Sequence, residues 1–329
     1  MLKKVASAAI CCNFLLILFN CAPEAPRSNP LDPDWNASDN RASISGAVFT
    51  RYQPASPLEN AVVQLLPGGA MALTGPTGSF QFNSLNPGSY QLIAQKEDYV
   101  ADTVTVTVAA GSVEGVNFFL NALPQLQSAV FYSEHIDQWW PGEIYQAFLA
   151  VTLSDPDGSA DIDSLAFLVP TLGFSKSFQQ SGRPDSFFVE IENLELPQSD
   201  LQQLIEQESY VTITDRAGAS VTGGPFFLRR IIEDAPLPLS PSNLQPVSAF
   251  PNLEWEPFSL AFEFTFVAQV FRISAGLPVL IHTAAGLPEE QVSYSFPDSL
   301  SSGTYFWTIG VRDNLNNFSR SKEASFVVP

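Results

Sequence analysis

From Ala42 onward the large apolar residues recur at every second position in short runs. That period restricts the chain to strands buried on one face. Ile44, Gly46 and Val48 open the pattern, Thr103 to Val108 repeats it, and Tyr305, Trp307, Ile309 and Val311 carry it near the end. Turn-forming Pro, Gly, Asn and Asp separate the runs. The 26 prolines and 26 phenylalanines among 329 residues fit many short strands and few long helices. A hydrophobic content of 45% is enough for packed cores, and the length fits two or three domains. The expected class is all-β, with three consecutive β-sandwiches.

The three cysteines, Cys11, Cys12 and Cys21, all lie in the first 21 residues, so the expected sandwiches hold together by core burial without disulfides. Lys3 and Lys4 precede an apolar run from Val5 to Phe19, interrupted by Asn13. That run is shorter than the ~20 residues a transmembrane helix needs and has the form of a signal peptide. Leu18-Phe19-Asn20-Cys21 resembles the bacterial lipobox, with Asn20 where a small residue is usual. The resemblance implies cleavage after residue 20, covalent lipid on Cys21, and membrane attachment through that lipid. An ordinary secretory signal cut near Ala22 is the competing reading. By similarity to enterobacterial sorting, Ala22 implies the outer membrane, with periplasmic or surface face open. Residues 21–41 are rich in Pro, Asn, Asp and Ser and read as a tether.

Net charge is −19, and it becomes more negative once Lys3 and Lys4 leave with the signal segment. A surface this acidic repels phosphate backbones and anionic lipid headgroups, which argues against nucleic-acid partners and leaves the lipid as the means of attachment. Beyond Cys21 there is no thiolate, and His135 and His282 are far apart in sequence, so a metal centre rich in His or a Ser–His relay is hard to assemble.

Residues 42–122 carry four ordered motifs. They are Ile44-x-Gly46-x-Val48, Pro57-Leu58-x-Asn60-Ala61-x-Val63, Gly78-x-Phe80-x-Phe82, and Leu85-x-Pro87-Gly88-x-Tyr90-x-Leu92-x-Ala94. The order closely resembles the carboxypeptidase regulatory-like domain, which implies a seven-stranded prealbumin-type sandwich and an accessory, folding or adhesive role without peptidase residues. Gly78 and Gly88 suit positive-φ turns, and Phe80, Phe82, Leu85, Tyr90 and Leu92 are expected to face inward.

Residues 124–233 give strand candidates at Ser128–Tyr132, Ile144–Leu153, Leu165–Val169, Ser186–Ile191, Tyr210–Thr214 and Phe226–Ile231. Ser199 is expected to cap a short helix over Asp200–Ile205. This segment resembles an immunoglobulin-like sandwich in general terms, with a hairpin turn at Asp215-Arg216-Ala217-Gly218. Residues 236–329 resemble fibronectin type III. Trp255 occupies the core tryptophan position, Phe266–Arg272 the central strand, and Leu300 with Tyr305 the tyrosine corner.

Two groups stand out as candidate sites. Asp155, Asp157, Asp161 and Asp163 place four carboxylates within nine residues, a donor set suited to calcium. The EF-hand spacing fails, because position 12 from Asp155 is Ala166, and a solvated loop accounts for the same residues. Trp139 and Trp140 precede Pro141-Gly142 and could stack on a sugar ring, whereas in a strand one ring would turn inward. Glu254 and Glu256 are expected on an exposed strand face without the cleft that acid catalysis needs. The first functional reading is a non-enzymatic, membrane-anchored envelope lipoprotein whose sandwiches act as spacers and binding modules for protein or polysaccharide. The second is a carbohydrate-capture lipoprotein of an outer-membrane uptake system, and the third a hydrolase.

Overall fold

A computed structural model of the chain describes residues 41–329. The signal segment, Cys21 and nearly all of the 21–41 tether lie outside the described residues. Among those described, the regular structure is strand apart from single 3₁₀ turns, and no helix is long and apolar enough to cross a membrane. The chain forms consecutive β-sandwiches. By backbone contact it divides into two compact units, one made of the described residues up to Glu97 together with Ala101–Leu120, the other comprising Asp98–Val100 and Asn121–Pro329.

The first unit contains seven strands: β1 (Ala42–Thr50), β2 (Val62–Leu66), β3 (Ala70–Leu73), β4 (Ser79–Leu85), β5 (Gly88–Gln95), β6 (Asp102–Val108) and β7 (Val113–Leu120). They form two sheets, β4-β1-β7 and β3-β2-β5-β6, with β1 and β7 parallel. Ile44, Val63, Leu65, Leu92, Phe118 and Leu120 are fully buried between them. Gly46 lets β1 lie close against β7, because a Cβ there would stand 1.7 Å from the Val116 carbonyl oxygen. Gly78 sits at φ +73° in the turn before β4, as its motif implies. Gly88 is closer to extended, at φ +157°. Phe80, Phe82 and Leu92 are buried, but Leu85 and Tyr90 are only half-buried. The Tyr90 hydroxyl donates to the Asn86 carbonyl at 2.9 Å, which keeps the polar end of the ring at the edge of the core.

In the second unit, the first sandwich pairs β10 (Ile162–Val169), β11 (Phe174–Ser177), β14 (Ser209–Asp215) and β15 (Ser220–Phe226) in one sheet. Its other sheet holds β8 (Gln125–Ile136), β9 (Ile144–Ser154), β12 (Gln179–Gln180) and β13 (Ser186–Glu192). The last strand differs from expectation. β15 is the polar, glycine-containing segment Ser220–Phe226, which closes on β14 across the Asp215–Gly218 turn; the apolar run to Ile231 forms only an isolated bridge at Leu228. Ile231 packs into this sandwich's core and Ile232 into the next, so that run serves as a connector fixed from both sides. The expected helix is a single 3₁₀ turn, Leu201–Leu204, capped by Asp200. Ser199 stands at φ +53°, and the cap bond is Gln202 N–H to Asp200 Oδ1 at 2.9 Å.

The last sandwich has nine strands: β16 (Pro238–Ser240), β17 (Gln245–Pro246), β18 (Asn252–Trp255), β19 (Phe264–Ser274), β20 (Leu277–Leu287), β21 (Ser293–Ser295), β22 (Gly303–Asp313), β23 (Phe318–Arg320) and β24 (Ala324–Val328). Trp255, Tyr305, Trp307, Ile309 and Val311 are all in its core. The Tyr305 hydroxyl donates to the Ser301 carbonyl at 2.7 Å, which is the tyrosine-corner geometry. Trp307 Nε1 donates to the Pro241 carbonyl at 2.8 Å.

The two sandwiches of this unit share one sheet. β8 runs parallel to β23 in the register Glu134–Phe318, His135–Ser319 and Ile136–Arg320, which continues the order β12-β13-β9-β8-β23-β22-β19-β20. Backbone pairing of this kind satisfies two strand edges that would otherwise be open and leaves no slack between the bodies they belong to.

Candidate functional site

The acidic loop lies between β9 and β10. Asp155 begins a tight turn in which its Oδ1 accepts the Asp157 N–H at 2.8 Å and its carbonyl accepts the Gly158 N–H at 2.9 Å. Gly158, at φ +104°, reverses the chain into the 3₁₀ turn Ser159–Asp161. The outcome is that one carboxylate oxygen from each of Asp155, Asp157 and Asp161 lies within 4.8 Å of the others. Asp163 is not brought in. It points to solvent from β10, because Asp161 belongs to the turn and the two-residue period begins only at Ile162.

Three residues that sequence reading did not assign to the site, Asp215, Asn121 and Ala122, complete the surroundings. Asp215, at the end of β14, is buried; its Oδ1 accepts the Ala219 N–H at 2.8 Å and its Oδ2 accepts Asn121 Nδ2 at 2.6 Å. The Ala122 N–H donates to Asp157 Oδ2 at 2.7 Å. Asp215 is separated from the loop by the whole of β10 to β14, and only the β10–β14 pairing of Ile162 with Asp215 reveals the neighbourhood.

The electrostatics are unfavourable to the bare carboxylates. Asp161 is 5% exposed and neither of its oxygens has a hydrogen-bond partner; Asp155 Oδ2 is likewise buried and unpartnered. Burial first, then the negative charges of Asp161, Asp157 and Asp215, push the Asp155 carboxyl up to about 6 against the stabilising bond from Asp157 N–H. Tyr99 is raised as well, by burial and then by Asp157 and Asp155. Carboxylates without partners away from water are costly unless a cation or a proton balances them.

The tryptophans lie elsewhere, in the bend between β8 and β9. Both are exposed, Trp139 at 71% and Trp140 at 85%. Trp139 is held in place: its Nε1 donates to the Glu323 carbonyl at 3.0 Å, and Lys322 Nζ lies 4.9 Å from the ring centroid. It lines a groove of about 650 Å³ shared with Asp137, Ser242, Asn243, Thr304 and Lys322. Trp140 does not line that groove.

The histidines are kept apart, and one ring nitrogen of each is engaged. His135 stacks on Tyr145 with ring centroids 4.3 Å apart, and its Nδ1 lies 3.0 Å from Ser319 Oγ. That distance suits a nucleophile and its base, but both residues are buried, so no substrate reaches them. Burial lowers the His135 pKa. His282 Nε2 lies 2.8 Å from the Tyr294 hydroxyl. Glu254 and Glu256 are exposed on the strand face and its flank.

The model of the carboxypeptidase regulatory-like domain matches residues 43–121, the segment whose motifs carried that resemblance. No curated protein matches the chain. Solved structures similar to it include the major pilin subunit of Bacillus cereus, at 9% identity over 88% of this chain and 96% of that one, with a TM-score of 0.32. The FN1–FN3 domains of chicken CNTN1 are similar at 9% identity over 82% and 95%, with a TM-score of 0.32. A putative carbohydrate binding protein from Bacteroides uniformis is similar at 12% identity over 57% and 94%, with a TM-score of 0.25. Residues 43–121 are therefore similar to the carboxypeptidase regulatory-like domain, within a chain of β-sandwiches.

Proposed function

We propose that this chain is a non-enzymatic envelope lipoprotein, held at a bacterial outer membrane by lipid on Cys21, whose sandwiches set distance and present binding surfaces. The observation that carries the spacer role is the sheet running through the β8–β23 pairing. Two bodies joined by backbone hydrogen bonds transmit position without bending at a linker. Each methylene of the lipid contributes ~0.8 kcal/mol when buried, so several acyl chains anchor the protein without help from its acidic surface. The loops at sandwich ends offer contacts for a protein or polysaccharide. Cys21→Ser tests the anchor. The variant is expected in the soluble fraction of lysed cells, and one that sediments with membranes as fully as the parent rules the lipid anchor out.

A second reading, carbohydrate capture, is favoured by one observation: Trp139 is exposed, fixed by its indole N–H, and borders a groove with hydroxyl, amide and carboxylate groups. A flat ring beside such groups suits a sugar, whose apolar face stacks while its hydroxyls hydrogen-bond. Tryptophan fluorescence titrated with envelope or dietary polysaccharides is expected to change in the parent and not in Trp139→Ala. Identical responses in both remove this reading.

A further inference from the structure

We propose that Asp155, Asp157 and Asp161 bind one calcium ion, in a site held in shape by Asp215 and by the Asn121-Ala122 segment. The first observation is geometric. Ligand oxygens around calcium stand about 2.3–2.6 Å from the ion, so they lie within about 5 Å of one another, and one oxygen from each of the three aspartates lies within 4.8 Å of the others.

The second observation is independent of the clustering. Asp161 is 95% removed from solvent, yet both of its oxygens lack a hydrogen-bond donor, and Asp155 Oδ2 is in the same condition. Neither residue has an ion-pair partner among the described residues. A carboxylate is an obligate acceptor in its charged form, so oxygens buried without donors call for a proton or a cation, and three carboxylates converging on one point favour the cation.

The donor chemistry selects the class of ion. All three ligands are carboxylates, with no histidine or thiolate, which selects a hard divalent cation over zinc or copper. Two of the three are only partly buried, which leaves room for water to fill a coordination number of 6–8. The ligands come from an irregular turn, and calcium tolerates such geometry where magnesium demands a near-ideal octahedron.

The surroundings are braced for a ligand. Asp157 accepts the Ala122 N–H and the Asp161 carbonyl accepts the Arg216 N–H at 2.9 Å, so the loop cannot relax outward without breaking bonds to the start of this unit and to the turn after β14; Asp215 in turn holds Asn121 Nδ2 and the Ala219 N–H. Asp215 acts here as a positioning residue. Bound calcium would tie together the β9–β10 loop, the end of β14 and Asn121-Ala122.

Calorimetric titration of calcium chloride into the full chain, stripped with EDTA, tests the site, with thermal denaturation alongside. One calcium per chain and a raised, saturable melting midpoint are expected. Asp161→Asn should weaken binding at least tenfold, whereas Asp163→Asn, on the solvent side of β10, should bind as the parent does. If Asp161→Asn fails to fold, Asp155→Asn preserves the turn's acceptor and should show the same tenfold loss. No saturable heat and no midpoint shift up to about 10 mM calcium overturns the proposal. So does unchanged binding in the folded Asp161→Asn or Asp155→Asn variant, and so does magnesium binding as tightly as calcium.

Discussion

The buried carboxylate of Asp313, at the end of β22, accepts the guanidinium of Arg230 at 2.9 Å and thereby joins the last sandwich to the connector that leaves the one before it. The contact is one side of a closed circuit. Asp313 also accepts Asn317 Nδ2 at 2.9 Å; Asn317 Oδ1 accepts the Ser133 N–H at 2.9 Å; and the Ser133 hydroxyl donates to the Arg230 carbonyl at 3.0 Å. Arg230 lies over the Phe262 ring, 3.5 Å from its centroid. Each member is fixed by two others, so the seam around the β8–β23 pairing is specified by polar bonds as well as by sheet registry.

Removal of the carboxylate should loosen that seam. Asp313→Ala strands the Arg230 charge and the Asn317 and Leu315 N–H groups, all of which Asp313 accepts. A loss of about 3 kcal/mol is expected in urea denaturation, tempered by the partial exposure of Arg230. A loss below about 1 kcal/mol would mean that the β-pairing alone holds the seam.

Gly46 and Gly115 separate close approach from mere presence in a strand. An alanine Cβ at Gly46 collides with the Val116 carbonyl oxygen, whereas at Gly115 it meets nothing within 4 Å. Gly46→Ala should cost about 3 kcal/mol or more and shift β1 away from β7; Gly115→Ala should stay within about 1 kcal/mol of the parent. Equal effects in denaturant titrations would contradict the close packing at Gly46.

Tyr305→Phe keeps the ring in its core and removes only the hydroxyl bond to Ser301. The Ser301 carbonyl then loses a donor, and a loss of about 1–2 kcal/mol is expected. Proteolysis at the Leu300–Ser302 segment should quicken in parallel.

His135 supplies a pH dependence with a definite sign. Burial lowers its folded-state pKa, against raising contributions from Glu143, Asp137, Glu233 and Asp234. The unfolded chain therefore takes up the proton first as pH falls through 6.5, so the stability tied to neutral His135 is present above pH 6.5 and lost below it. Neighbouring Glu134 is raised by burial and acts in the opposite direction, in a window above 4.5. The difference in stability between the parent and His135→Gln should accordingly shrink on going from pH 7.5 to about 5.5. A difference that stays constant would show that His135 does not titrate on unfolding in this range.

The sequence disclosed features that depend on near neighbours and hid those that depend on distant ones. The inward alternation of Trp307, Ile309 and Val311 follows from the two-residue period, and the tyrosine corner spans only Ser301 to Tyr305. β15 was missed because its Ser, Thr and Gly residues lack the apolar signature of a strand; it owes its place to pairing across the Asp215–Gly218 turn. The Asp155–Asp161 turn was visible as a cluster, but Asp163 was included by proximity in sequence, and Asp215 and Asn121 entered only through folding. The Arg230–Asp313 bond spans 83 positions and has no local trace.

The proposed lipid anchor is the central claim of the functional reading, and the mass of the amino-terminal peptide of the mature protein tests it. The expected peptide begins at Cys21 and carries the mass of a diacylglyceryl group and an acyl chain on that residue. An unmodified Cys21, or a mature chain beginning at Ala22 or later, would contradict the lipid-anchored reading.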